Sequence, residues 1–63
     1  MNMRLKELRV QNGQTQKQMA EIIRYSIEEY ARYEKGQREP NLKTLCVFAD
    51  YFGVTLDYLV GRV

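Results

Sequence analysis

The sequence has no histidine and no tryptophan, and it has only one cysteine and one proline among 63 residues. A single cysteine, Cys46, cannot form a disulfide within the chain, and a structural zinc site is not expected without histidine. The absence of histidine also removes the usual general base near neutral pH. We therefore expect no enzyme activity, no metal site and no cofactor.

Long apolar runs are missing as well, since no stretch approaches the roughly 20 apolar residues needed to cross a membrane. The chain does not open with a basic segment followed by an apolar run, so we expect no secretion signal. Together with one free thiol, this favours a cytoplasmic protein without a membrane partner. No linker, low-complexity segment or repeat is visible, and 63 residues suffice for one small domain.

The chain does show helical periodicity with regular capping residues, whereas alternating strand patterns are poor. Thr15, Ser26 and Thr55 indicate helix starts, because their side chains can accept hydrogen bonds from the first turn. The five predicted helices run roughly from residue 2 to 11, from 15 onward, from 26 to about 35, from after Asn41 to Gly53, and from 55 to about 60.

Apolar side chains at helical spacing within these segments predict a buried core. Ala20 lies where two crossing helices would leave room for little more than a methyl group. The residues expected to face inward are Leu5, Leu8, Tyr30, Tyr33, Leu42, Leu45, Ala49, Phe52, Leu56 and Leu59.

Residues 16–35 are predicted to form a helix, a tight turn and a second helix. At 100° per residue, Tyr30 and Tyr33 share the arc of that second helix that would pack on the core. Glu28 and Arg32 occupy the opposite arc, and Glu29 lies at its boundary. The exposed arc is therefore charged and one helix wide, and such a face is what a helix-turn-helix presents to the major groove of DNA.

Five motifs follow one another along the chain: LKELR at 5–9, TQKQMAEI at 15–22, YARYEKGQREP at 30–40, LKTLCVFADYFGV at 42–54 and LDYLVG at 56–61. In order and spacing they resemble the Cro/C1-type (XRE-family) helix-turn-helix domain of phage repressors and many bacterial regulators. The resemblance implies an all-α, compact five-helix, lambda-repressor-like fold with the helix-turn-helix at about residues 16–35. It also implies a single DNA-binding domain over residues 1–63.

The resemblance implies three groups of DNA-contacting residues and one structural ion pair. The residues implied to contact phosphate at helix starts are Gln16 and Ser26. Those implied to read bases are Ile27, Glu28, Glu29 and Arg32. Those implied to grip the opposite phosphates are Lys35, the backbone of Gly36, and Arg38. The pair implied to tie the first helix to the third is Arg9 and Glu34.

Each role has a simpler structural alternative. Gln16 could be only an exposed polar residue, and Lys35 and Arg38 could be ordinary solvated charges. Arg32 could serve as the (i, i+4) partner of Glu28 on the helix surface, or could both pair with it and release to read guanine. Cys46 is expected to fill space in or near the core.

The sequence departs from the family pattern at four places. Arg24 stands where relatives usually have a glycine that often needs a positive φ, so strain or an altered turn is expected there. Gln14 replaces a leucine and removes an apolar contact, and Tyr25 replaces a smaller aliphatic residue and is expected to be partly exposed. The fourth departure is the start of the recognition helix, at 27–29, where an isoleucine precedes two glutamates.

Two carboxylates at that position repel phosphate unless they accept hydrogen bonds, chiefly from cytosine N4. We therefore predict cytosine near Glu28 or Glu29, and thymine near Ile27. Residues 1–43 hold nine basic and six acidic residues, hence +3, whereas residues 44–63 carry −1. The part of the chain that holds the helix-turn-helix is thus the basic part, as phosphate contact requires.

These observations favour a sequence-specific DNA-binding transcriptional regulator, with repression favoured over activation and no small-molecule ligand. Double-stranded DNA is the expected partner, bound by a homodimer that reads two half-sites. The candidate dimer surface is Tyr58, Leu59, Val60 and Val63, although these residues could instead close the monomer core. The alternative function is a protein-interaction module, antitoxin-like or anti-repressor in kind, that uses the same acidic helix.

Overall fold

The computed structural model describes residues 3–63, which form five helices and, within that range, no strand. The helices are α1 (Leu5–Gln11), α2 (Gln16–Ile23), α3 (Ile27–Lys35), α4 (Leu42–Phe52) and α5 (Leu56–Leu59). The predicted all-α, five-helix fold is confirmed, with α2, a tight turn and α3 in the predicted place. Within residues 3–63, each helix falls short of the length and apolar content that a membrane span requires.

Side-chain caps define four of the five helix starts. The backbone N–H three residues further on donates to Thr15, Ser26, Asn41 and Thr55 at 2.9–3.1 Å. At α2 the cap is reciprocal, because the backbone N–H of Thr15 donates to the side chain of Gln18 at 2.9 Å. The starts of α2, α3 and α5 are therefore confirmed at the residues that the sequence indicates.

A left-handed residue ends three of the helices. Gly36 and Gly53 close α3 and α4 with φ values of 73° and 67°. Arg24 takes the same conformation after α2, with φ 60° and ψ 38°. The expected positive φ is confirmed, and the turn keeps this geometry although its residue carries a Cβ. A side chain in this region costs about 1 kcal/mol.

The core lies where all five helices meet. Tyr30 and Tyr33 of α3 present their rings edge-on to Phe48 of α4, with centroids 5.9 and 6.3 Å apart. These aromatic contacts fix which face of α3 points away from the protein. The buried apolar residues are Leu5, Leu8, Met19, Ala20, Tyr30, Tyr33, Phe48, Ala49 and Leu59. Burial is therefore confirmed for most of the predicted inward-facing set.

Leu42 is the wrong member of that set, since it is 66% exposed. Exposure decreases along the predicted stripe from Leu42 through half-buried Leu45 to buried Ala49. Leu42 points to solvent although Thr44 in the same first turn is only 8% exposed, so the buried face of α4 is displaced from the predicted stripe. Thr44 and Phe48 are buried in α4 as well, although the stripe omitted both.

The predicted start of the first helix at residue 2 lies outside the described residues, and α1 begins only at Leu5. Before it, the backbone N–H of Arg4 donates to the carbonyl of Leu59 at 2.8 Å. The Arg4 guanidinium donates to the carbonyl of Tyr58 at 2.6 Å and lies 4.2 Å from the centre of its ring. These contacts hold the segment before α1 against α5 and not in a helix.

Two further departures from the family pattern have defined outcomes. Gln14 is half-buried, where its side chain donates to the hydroxyl of Tyr51 and accepts from Asn12 at 3.0 Å. A polar contact thus occupies the place of the expected apolar one. Tyr25 is partly exposed, as predicted, with its ring centre 6.1 Å from that of Tyr33. Cys46 is half-buried, which agrees with a place near the core.

Candidate nucleic-acid interface

The exposed face of α3 is the candidate interface. Ser26 caps the helix, and Tyr30 and Tyr33 anchor its inner side in the core. Ile27 and Arg32, in contrast, are exposed. Glu28 is exposed on the same helix, and Lys35 at its last turn is also in solvent. The core therefore turns three of the four residues implied to read bases, Ile27, Glu28 and Arg32, toward solvent, whereas Glu29 is half-buried.

An ion pair between Arg9 of α1 and Glu34 of α3 supports this interface from within the protein. Arg9 Nε lies 2.6 Å from Glu34 Oε2, and the two side chains are only 13% and 3% exposed. Arg9 also donates from Nη1 to the carbonyl of Gln14 at 2.7 Å. The pair predicted to tie the first helix to the third thus links these two helices and the loop before α2.

Gln16 joins this cluster from the first turn of α2. Its Nε2 donates to Glu34 Oε1 at 3.1 Å, and the residue is half-buried. Gln16 is therefore not merely an exposed polar residue. The contact orients its carboxamide and leaves one N–H of the amide for a ligand.

The cluster shifts the pKa values of its members. Burial by itself would raise the pKa of Glu34, but Arg9, Tyr30 and Gln16 face the carboxylate and lower it below the ordinary value. The hydrogen bond to Glu34 raises the pKa of Arg9, and burial raises that of Tyr30. The Tyr30 hydroxyl lies close enough to influence both charges, yet it forms no hydrogen bond of standard geometry within residues 3–63. Glu34 and Arg9 are both charged at neutral pH.

The exposed ion pairs differ from the predicted pairing of Arg32 with Glu28. Arg32 Nη1 lies 3.3 Å from Oε1 of Glu29, one turn back on α3. Arg38, from the loop after α3, places its Nη1 3.3 Å from Oε2 of the same carboxylate. The prediction of a Glu28–Arg32 pair is wrong: Arg32 pairs with Glu29, which lies at the boundary of the exposed arc, where the loop brings in Arg38 as a second positive charge.

In the loop after α3, one group that the sequence assigns to phosphate binding, the backbone of Gly36, is already hydrogen-bonded within the protein. The backbone N–H of Gly36 donates to the carbonyl of Tyr33 at 3.2 Å, and that of Gln37 donates to Arg32 at 3.0 Å. The amide of Gly36 is thus already engaged in closing α3. The side chains of Lys35, at the end of α3, and of Arg38, in the loop, are exposed and can reach an anion.

The candidate dimer surface is only partly a surface. Leu59 is fully buried, so its assignment to that surface is wrong: the residue faces inward from α5 and closes the core. Tyr58 and Val63 are exposed, and Val60 is half-buried. Tyr58 and Val63 border an open groove of about 570 Å³ whose walls include Phe52.

One feature near the helix-turn-helix was missed by sequence reasoning. A cleft of about 470 Å³ lies between the turn after α2 and α4, with Arg24 and Lys43 among its lining residues. The sequence shows that the turn carries a positive charge, Arg24. It does not show that Lys43 of α4 lines the same cleft, because the two residues are far apart along the chain. Within residues 3–63 no group of three or more cysteine, aspartate or glutamate side chains could hold a metal ion.

A helix-turn-helix family model matches residues 5–59 of the chain. Over 57 residues the chain is 39% identical to the SPbeta prophage-derived uncharacterized HTH-type transcriptional regulator YonR of Bacillus subtilis, covering 90% of this chain and 53% of YonR. It is 40% identical over 59 residues to the HTH-type transcriptional regulator AnsR of the same organism, covering 94% of this chain and 51% of AnsR.

A third relative is the cryptic phage CTXphi transcriptional repressor RstR of Vibrio cholerae, 37% identical over 59 residues that cover 94% of this chain and 53% of RstR. The chain thus spans about half the length of these curated relatives. No solved structure matches it. Because the family match runs from the first residue of α1 to the last of α5, the chain belongs to the Cro/C1-type helix-turn-helix family.

Proposed function

We propose that the chain binds double-stranded DNA through α3. It acts as the DNA-binding part of a sequence-specific transcriptional regulator that represses transcription. One observation carries this proposal: α3 is fixed to the core by Tyr30 and Tyr33 and turns a charged face, including Arg32, to solvent. The matched relatives are named as transcriptional regulators, and RstR is named as a repressor. We also propose a cytoplasmic location, because the DNA of bacteria, in which the matched relatives occur, lies there.

Base reading would be shared by the exposed residues of α3. Arg32 can donate two hydrogen bonds to guanine, and the carboxylates of Glu28 and Glu29 can accept from cytosine N4. Ile27 can contact the methyl group of thymine. The proposed operator half-site therefore contains cytosine and thymine near the start of α3 and guanine toward its middle.

Phosphate contacts would hold α3 in the groove. The candidates are Gln16 and Ser26 at helix starts, Lys35 as the last residue of α3, and Arg38 in the loop after it. With about four such contacts in each subunit, a homodimer on one operator neutralises about eight phosphates. The logarithm of the affinity should therefore fall with the logarithm of salt concentration at a slope of about −7.2.

A homodimer follows from the size of the reading element. The nine residues of α3 span about 14 Å at 1.5 Å per residue, and the whole body measures 28 × 23 × 18 Å. One copy therefore reaches one major groove, whereas two half-sites lie about 34 Å apart. The groove bordered by Tyr58 and Val63 is the proposed contact between the two copies.

The alternative function as an acidic docking module has less support. Two arginines already neutralise Glu29 within the protein. The acidic character of the α3 start therefore rests on Glu28 alone, which is too little charge to select a basic partner surface.

Selection of bound sequences from random duplex DNA tests the proposal. We expect an enriched two-fold site with the bases named above, and fluorescence anisotropy on that site should show the steep salt dependence. On the selected site, Arg38→Gln should weaken binding and reduce the salt slope by about 1.8, because each of the two subunits loses one phosphate contact. Arg62→Gln removes the same charge from the segment after α5, which holds none of the proposed DNA contacts, and should change neither. A flat salt response, or no enriched sequence, would contradict the proposal.

A further inference from the structure

The carboxylate of Glu29 bridges two guanidinium groups from different segments of the chain. Its Oε1 lies 3.3 Å from Arg32 Nη1 on α3, and its Oε2 lies 3.3 Å from Arg38 Nη1 in the following loop. The backbone N–H of Glu29 donates to the Ser26 hydroxyl at 3.1 Å. This cap fixes the backbone position from which the Glu29 side chain extends. Both oxygens are thus committed to arginine.

These arginines are the ones that the proposed interface needs. A carboxylate offers guanidinium groups the same kind of paired, negatively charged oxygens as a phosphate does. While Arg32 and Arg38 donate to Glu29, they have fewer N–H groups free for the DNA backbone. The three side chains remain 30% to 57% exposed, so solvent or DNA can displace the contacts.

We infer that Glu29 suppresses non-specific DNA binding by acting as an internal substitute for phosphate that holds Arg32 and Arg38. The inference rests on the proposed function and names the residue that sets its specificity. Non-specific affinity comes from neutralised phosphates, and Glu29 reduces the number that this face can neutralise. At a site with cytosine opposite Glu29, the base supplies a donor to the carboxylate and both arginines are released to the DNA.

Glu28 provides a matched control. It is the preceding residue on the same helix, carries the same charge and is exposed. Within residues 3–63 its side chain makes no ion pair or hydrogen bond. Glu28→Gln therefore removes one negative charge from the face without releasing an arginine, and Glu29→Gln removes one charge and releases two.

The experiment measures binding to random-sequence duplex DNA by fluorescence anisotropy over a series of salt concentrations. We expect Glu29→Gln to bind about threefold to tenfold more tightly than Glu28→Gln, with a salt slope steeper by about 1 to 2, because two more phosphates are contacted. In a background carrying Arg32→Gln and Arg38→Gln, the two glutamate substitutions should have equal effects. Circular dichroism establishes that each variant is folded.

Equal gains for Glu28→Gln and Glu29→Gln in the background with both arginines would overturn the inference and leave DNA binding intact, since charge alone would then explain them. A gain specific to Glu29→Gln that persists without the two arginines would also overturn it. If the unmodified protein and every variant fail to bind DNA even at low salt, the proposed function itself fails, and the role of Glu29 fails with it.

Discussion

Arg9 and Glu34 form an ion pair of 2.6 Å in which the carboxylate side chain is only 3% exposed. The pair joins α1 to α3, and Gln16 adds the first turn of α2 to the same carboxylate. The chain has 63 residues and one cysteine, so no disulfide within it can link the helices. This polar cluster links α1, α2 and α3, as a disulfide links segments in other small domains. Its integrity sets the position of α3 relative to the start of α2.

Breaking this pair from one side should be costly. Glu34→Gln leaves the Arg9 guanidinium mostly buried without a negative partner, and we expect a loss of about 2–4 kcal/mol in the free energy of unfolding. Replacing both residues by methionine should cost less than the sum of the two single changes, because no unpaired charge then remains. Urea unfolding measures Glu34→Gln, the single changes Arg9→Met and Glu34→Met, and the double variant. Strictly additive losses would contradict an energetic coupling between the two side chains.

The exposed pair on α3 provides a comparison for that experiment. Arg32→Gln removes an ion pair whose arginine side chain is 53% exposed. We expect a change of at most about 0.5 kcal/mol in the free energy of unfolding, since solvent screens such pairs. If Arg32→Gln lowers the free energy of unfolding as much as Glu34→Gln does, then exposure to solvent does not explain the difference in strength between the two ion pairs.

Stability should depend on the protonation of Glu34. Its pKa is lowered in the folded protein, whereas an unfolded glutamate titrates at about 4.3. The stabilisation is therefore complete above that unfolded value and is lost as pH falls through the lowered folded value. Urea unfolding from pH 6 to pH 3 should show a growing loss in the unmodified protein. Glu34→Gln should lose less over this range, and identical pH profiles would show that the carboxylate is not responsible.

The left-handed residue in the helix-turn-helix turn is a site for stabilisation. Arg24 has a φ of 60°, and Arg24→Gly should raise the free energy of unfolding by about 0.5–1 kcal/mol through relief of this strain. Gly53→Ala is the reverse change, since Gly53 has a φ of 67° and a Cβ there would meet no atom within 4 Å. It should destabilise by about 1 kcal/mol for backbone reasons alone. Thermal unfolding that moves both variants in the same direction would contradict this account.

The proposed dimer contact can be separated from the core. Val63→Asp places a charge on a residue that is 69% exposed beside the groove, and it should weaken self-association while helicity is retained. Val10→Asp changes an equally apolar exposed residue that does not line this groove and should leave association unchanged. Sedimentation equilibrium measures both. If Val63→Asp associates as strongly as the unmodified protein, this groove is not the contact between copies.

Much of the fold could be predicted because its signals are local. Thr15, Ser26 and Thr55 cap helices with hydrogen bonds to residues only three positions away, so neighbouring residues suffice to place the helix starts. The inward positions of Tyr30 and Tyr33 follow from helical spacing alone. The candidate site benefited from the same locality, since the exposed face of α3 is the complement of its buried one.

The remaining features depend on residues far apart in the sequence. Spacing along α3 allowed Glu28 or Glu29 to pair with Arg32, and the position of Arg38 in the following loop favours Glu29. Leu42 and Leu59 both carry an apolar side chain near a helix end, yet Leu42 points to solvent and Leu59 closes the core. The sequence by itself determined the helices, their caps and the charged face of α3, because those need only neighbouring residues. Only the tertiary structure decided which charges meet and which apolar side chains are covered, because those contacts depend on where other helices and loops lie.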